Sequence, residues 1–114
     1  MLLIYTAESD WADGEREQCL ADSTKLCHEI HGKGQLLGAA PLHSVTTASS
    51  LRIRAGKRIV TDGPFAETHE QLGGYYLLDV ANLDEAMEIA FRIPGVRKGT
   101  VEIRPIFELP GLPK

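Results

Sequence analysis

The stretch GGYYLLDVANLDEAMEIAFRIPGVRKGTVEIRPIF, residues 73–107, decides the reading of the fold, because two strand-like runs enclose one helical run. Tyr75 to Val80 is dense in aromatic and aliphatic residues and predicts a strand. Asn82 stands three residues before Glu85, an N-cap and N3 acid arrangement, and Leu83, Ala86, Ala90 and Ile93 trace one face of a helix that Pro94-Gly95 ends. Thr100 to Phe107 then alternates Val101 and Ile103 against Glu102 and Arg104, the period-two pattern of a half-buried strand.

The first half opens in the same way. Leu2-Leu3-Ile4-Tyr5 is a short apolar run suited to the middle of a sheet, and Asp13 to His31 lacks proline and carries Leu20, Cys27 and Ile30 near helical spacing. Ser23 and Thr24 fill the same stripe with smaller, more polar groups, and Gly32 and Gly34 end the helix. Gln35 to Leu42 is small and apolar, Ala48 to Ala55 alternates Leu51 and Ile53 against Arg52 and Arg54, and Gly56 marks a turn into Lys57 to Thr61. The order is strand, helix, a block of two to three strands, strand, helix, strand. That order predicts one α+β domain over residues 1–114 with a ferredoxin-like, split βαβ arrangement: an antiparallel sheet with both helices on one face. The other face needs a cover, and a closed two-fold pair of this chain would supply it, so a homodimer with an α/β-barrel-like assembly is expected.

Composition narrows the partners. The chain has 114 residues, 43% of them hydrophobic, and a formal charge of −4. No run approaches the ~18 apolar residues of a membrane span, and the start turns polar after five residues, so a soluble, cytoplasmic protein without membrane contact is expected. Cys19 and Cys27 lie eight residues apart in one predicted helix, a rise of about 12 Å that is beyond disulfide reach. They form no zinc pattern either, and no metal or cofactor is expected. Residues 1–34 hold seven acids and three bases, whereas residues 35–64 hold one acid and four bases, Arg52, Arg54, Lys57 and Arg58. Those bases read as the solvated face and turn of a hairpin in the sheet, and nucleic acid is not an expected partner. Nucleotide, zinc-protease and serine-hydrolase motifs are missing.

Residues Val60-Thr61-Asp62-Gly63-Pro64-Phe65-Ala66-Glu67-Thr68-His69-Glu70-Gln71-Leu72-Gly73-Gly74-Tyr75-Tyr76 and Gly99-Thr100-Val101-Glu102-Ile103-Arg104-Pro105-Ile106 resemble the hallmark segments of the DGPF branch of the YCII-related family. Met1 to Tyr5, Leu36-Leu37-Gly38 and Leu83-Asp84-Glu85-Ala86 fall in the same family order, so the resemblance spans nearly the whole chain. It implies a ferredoxin-like fold that dimerises through its sheets, in small bacterial proteins that are mostly uncharacterised. Some of these are encoded beside extracytoplasmic-function sigma factors, and a minority resemble small-molecule lyases using a His-Asp pair. In that minority the histidine belongs to the first half or middle of helix one. Here residues 13–27 contain no histidine, and His28 and His31 come at the helix end. His69 stands where the resemblance implies lysine.

Two readings of the candidate residues stay open. In one, the Asp62 turn, with Glu67, His69 and Glu70 close in sequence, rims a cleft beside the sheet and does general acid-base work. His31, four residues from Cys27 and eleven from Leu20, joins it from the inward stripe of helix one, with His28 about a quarter-turn away. Asp62, His31 and His69 are then the acid-base groups of a lyase or isomerase type of activity, and Glu67, Glu70, Tyr75 and Tyr76 contact a small polar ligand. In the other, Asp62-Gly63-Pro64-Phe65 is a structural turn with Phe65 plugging the core, and Glu67, His69 and Glu70 are ordinary surface. Function would then be that of a non-enzymatic interaction or regulatory partner, sigma-factor-linked as the resemblance suggests, acting through the dimer surface or the tail Ile106 to Leu112. Tyr75 and Tyr76 should face opposite sides of the sheet, Trp11 reads as a staple or interface anchor, and Asp79 is expected to pair with Arg104 or another strand base.

Overall fold

Leu2–Thr6, here β1, is an inner strand of the sheet, paired on both edges, and its apolar residues alternate between the two faces. The computed structural model describes residues 1–113. After β1 come α1 (Glu15–Gly32), β2 (Leu36–Pro41), β3 (Ser49–Arg54), β4 (Lys57–Asp62), β5 (Gln71–Leu78), α2 (Leu83–Arg92) and β6 (Thr100–Ile103). Short 3-10 turns occupy Glu8–Asp10, Val45–Thr47 and Pro94–Arg97. The main sheet has the order β2-β5-β1-β6 and every pair in it is antiparallel. β1 and β2 thus run the same way with β5 between them, which is compatible with the ferredoxin-like, split βαβ arrangement.

Register decides which side chains meet. Leu2 lies opposite both Tyr76 and Ile103, and Leu3 lies opposite Tyr75 and Glu102, so Leu2, Tyr76 and Ile103 share one face and Leu3 and Tyr75 the other. Leu26 and Ile30 of α1, Ile89 and Ala90 of α2, and Ile93 pack on the first face with Leu2 and Tyr76, forming the core. Both helices therefore cover the same face. α2 begins as the sequence predicts: the Asn82 side chain accepts from the Glu85 amide at 2.9 Å, and Glu85 reaches back to the Ala81 amide at 2.7 Å. α1 runs on through Gly32, and Gly34, at φ 74°, makes the left-handed exit. No helix among the described residues is long and apolar enough to cross a membrane.

Three expectations are corrected. The hairpin of β3 and β4 does not extend the main sheet; it forms a two-stranded sheet of its own, pairing with neither edge strand, β2 or β6. Its bases are therefore the surface of a projecting arm and not of the sheet. Phe65 plugs no core; it is 76% exposed beyond that arm. Asp79 and Arg104 form no ion pair, and Asp79 is exposed, so it needs none.

The arm and the carboxyl-terminal tail stretch the molecule to a radius of gyration of 16.1 Å, against about 13 Å for a compact domain of this length. The tightest backbone approach is at Gly99, where an added Cβ would lie 1.9 Å from the Tyr5 carbonyl oxygen. No side chain can relieve that clash, because the obstacle is the backbone of the inner strand. Gly99→Ala should therefore destabilise the fold by about 3 kcal/mol or more, read as a lowered urea midpoint at unchanged slope.

Candidate functional site

α1 touches the sheet tightly only over its second half. Leu26 and Ile30 reach the core, whereas the cleft side of the helix presents Cys19 and Ser23 in its first half and Cys27 beyond them, at four-residue intervals and all smaller than the leucines that would fill the gap. The sheet beneath is equally lean, with Gly73, Gly74, Ala39 and Ala40 at β5 and β2, and Gly95 in the turn after α2. The space left between these small residues is a cleft of about 800 Å³, at the upper end of the range for small-molecule sites. Ile4, Leu20, Leu36, Leu42, Ile93 and Pro94 give it apolar walls.

Polar groups in the cleft are few and specific. Tyr76, only 3% exposed, carries its phenol to Ser23, hydrogen-bonding the Ser23 hydroxyl and donating to the Ser23 carbonyl at 3.3 Å. Burial raises the phenol pKa well above its ordinary value, the Cys27 thiol adds to the rise, and only the Ser23 hydrogen bond opposes it. Burial, and then Asp22, likewise raise the Cys19 thiol, which stays protonated at neutral pH. Tyr76 and Cys19 are therefore neutral hydrogen-bonding groups of the cleft, not a phenolate and a thiolate.

Its mouth is held by two fastenings. Glu8 accepts from the Ser44 hydroxyl at 2.6 Å and from the Val45 amide at 3.0 Å, tying the segment after β2 to the turn after β1. Lys98 pairs with Glu15 at 2.6 Å, donates to the Asp10 carbonyl at 2.8 Å and lies 5.6 Å from the centre of the Trp11 ring, fixing the entrance of α1. The same Lys98 contact, followed by the Ala12 amide, lowers the Glu15 pKa. Trp11 is thus held in the lining of the cleft, to which Arg16 and His43 also belong.

Of the seven residues singled out from sequence, only Tyr76 lines this cleft. Asp62 ends β4 and is exposed; its turn is closed by the Gly63 amide donating to Ala48 at 2.7 Å and by the Ser50 hydroxyl donating to Gly63 at 2.9 Å. Gly63 has φ 97°, a conformation that glycine adopts freely. Glu67 and His69 are exposed, and half-buried Glu70 accepts from the Thr100 hydroxyl at 2.8 Å. Tyr75 lies on the opposite sheet face, as alternation requires. Among the described residues, no three His, Cys, Asp or Glu side chains gather to hold a metal ion.

The inward placement of His31 is corrected: it is exposed and outside the cleft. Ile30 takes the inward position of the last turn, and one further residue rotates His31 by about 100°. His28 lines the cleft instead, in the row Arg16, Leu20, Thr24, His28. The readable signal for the cleft was the small, polar filling of an inward helix stripe at Ser23 and Thr24. His43 and Arg16 carried no such signal, because their placement depends on how the segment after β2 folds back over α1.

A four-stranded antiparallel sheet, two helices on one face and an apolar cleft under the first half of α1 define a small α+β domain. The chain belongs to the YCII-related domain family, whose model matches residues 1–110. It is 40% identical over 110 residues to an uncharacterised protein of Rhizobium meliloti (strain 1021), a match covering 92% of this chain and 89% of that protein.

The Tyr76 environment has a pH consequence. With the folded pKa raised, the native state keeps a proton that the unfolded phenol loses near its ordinary value of 10.0. Stability is therefore intact below that pH and falls as pH rises past it, by up to about 1.4 kcal/mol per unit for one group. Cys19 adds a decline in the same direction from about its ordinary 9.0. Urea unfolding between pH 8 and about 11 should show this decline, and Tyr76→Phe should make it shallower.

Proposed function

We propose that the cleft under α1 binds a small organic molecule, with apolar walls taking its body and the Tyr76–Ser23 pair taking one polar atom. The observation that carries this reading is a buried phenol opening onto about 800 Å³ of unfilled space. A core built only for stability would fill such a volume, since interiors pack to crystal density. Trp11 is the one tryptophan of the chain and sits at the rim, so it reports occupancy. A thermal-shift screen of metabolites should return ligands that raise the melting temperature and change Trp11 fluorescence. Tyr76→Phe should weaken such ligands by about tenfold, the worth of one buried hydrogen bond. Ligands that stabilise the protein without moving Trp11 emission, or that bind Tyr76→Phe equally, would refute the reading. Lyase or isomerase chemistry by Asp62, His31 and His69 is a separate proposal, and would require a second copy to bring these groups to the cleft.

We also propose that the working form is a homodimer. The single chain exposes 8593 Å² where a compact protein of its mass exposes about 6,200 Å². The excess exceeds the roughly 800 Å² per partner of an ordinary interface and suits an obligate pair. Leu3, Tyr5, Leu72, Tyr75 and Leu77 leave the helix-free sheet face apolar, and the β3–β4 arm exposes Leu51, Ile53 and Val60 by 74, 65 and 66%. An isolated two-stranded hairpin is marginal in water, so the arm gains from seating its apolar face on the partner. Light scattering should give twice the 12.5 kDa chain mass. The paired change Leu51→Glu and Val60→Glu, cross-strand neighbours already exposed in the single chain, should shift the protein to monomer with unchanged circular dichroism. A monomeric wild type would refute the dimer, whereas a dimeric variant would refute only the role of the arm.

A further inference from the structure

The polar groups around the cleft are unequally satisfied, and this bears on ligand charge. Glu8 is the one carboxylate among the lining residues, and both its oxygens are taken, by Ser44 and by the Val45 amide. Arg16, on the same rim, forms no ion pair among the described residues; its guanidinium makes only a long contact, 3.5 Å, to the Leu42 carbonyl. His43 follows Leu42 on that lip, and His28 stands further along α1 in the same row as Arg16. Neither imidazole makes a side-chain hydrogen bond among the described residues. Three nitrogen donors thus border a space whose only acid is already engaged.

Resting on the binding reading above, we infer that the ligand is an organic anion: a flat or short-chain apolar body bearing one carboxylate at the Arg16–His43 rim and one hydroxyl or carbonyl oxygen at Tyr76 and Ser23. The guanidinium offers a planar donor fork that matches a carboxylate, and Trp11, which also lines the cleft, offers an apolar wall. Arg16 and Ser23 are seven residues apart on α1, about 10 Å along the helix axis. That separation suits a body of about two fused rings with its polar groups at opposite ends.

Calorimetric titration with three probes tests this assignment: 6-hydroxy-2-naphthoate, its uncharged carboxamide, and 2-naphthoate, which lacks the hydroxyl. The hydroxy acid should bind at least about tenfold tighter than the amide, and Arg16→Gln should bring the two within about threefold. Arg16 is exposed, so its loss leaves the core intact. Tyr76→Phe should erase the advantage of the hydroxy acid over 2-naphthoate while keeping its advantage over the amide. Equal binding of acid and amide, or discrimination that survives in Arg16→Gln, overturns the anion assignment and leaves the cleft as a binding site. Failure of all three probes to bind or to alter Trp11 emission overturns the anion assignment and counts against the cleft as well.

Discussion

The contact of Leu26 and Ile30 with Leu2, Tyr76 and Ile93 is the one on which the rest of the molecule depends. It joins α1, α2 and the inner strands at one end of the helix layer, and burying large aliphatic groups there outweighs the absence of such packing at the other end. Because α1 is a stiff rod of 18 residues, closing it at one end holds the other end at a fixed distance above the sheet. The gap is therefore a property of the scaffold and does not depend on a flexible lid.

The order of elements was legible in the sequence because each half carries its own signal: period-two alternation at Val101 and Ile103, helical spacing at Leu83, Ala86 and Ala90, and punctuation at Gly34 and Pro94. What sequence could not convey was the fate of the β3–β4 hairpin. Its alternation is that of any half-buried strand, and a pattern along a chain does not say which strands will pair with it. The extent of β5 was also underestimated. It begins at Gln71, since Gly73 and Gly74 read as a break although both lie within the strand, and Gly74 is the residue that lets β5 lie close to β2.

The candidate site was less legible than the fold. Tyr76 was found by alternation, whereas Asp62, Glu67, His69 and Glu70 drew notice because they are charged and adjacent. Proximity along the chain places them on the arm and the segment after it, away from the cleft beneath α1. Helix phase explains the exchange of His31 for His28: counted from Cys27, His31 is about 40° off the inward stripe, whereas counted from Ile30 it is about 100° off, and that difference moves a side chain from interior to solvent near a helix end. Cysteines and serines at inward positions are weak signals individually. Repeated at four-residue intervals above glycine and alanine, they describe a vacancy.

The glycines of the lining are not alike. A methyl group at Gly73 would meet its nearest neighbours at 3.9 Å, ordinary contact, whereas at Gly95 it would come within 2.9 Å of the Ile4 side chain and at Gly74 within 3.0 Å of the Ala40 carbonyl. Small substitutions at Gly73 can therefore trim the chamber without disturbing the framework, while Gly74 and Gly95 are held by the framework itself. Descendants of one ancestral chain could in this way come to accept molecules of different size through a few changes in the floor, with the sheet order, the helix contacts and the outer surface left as they are.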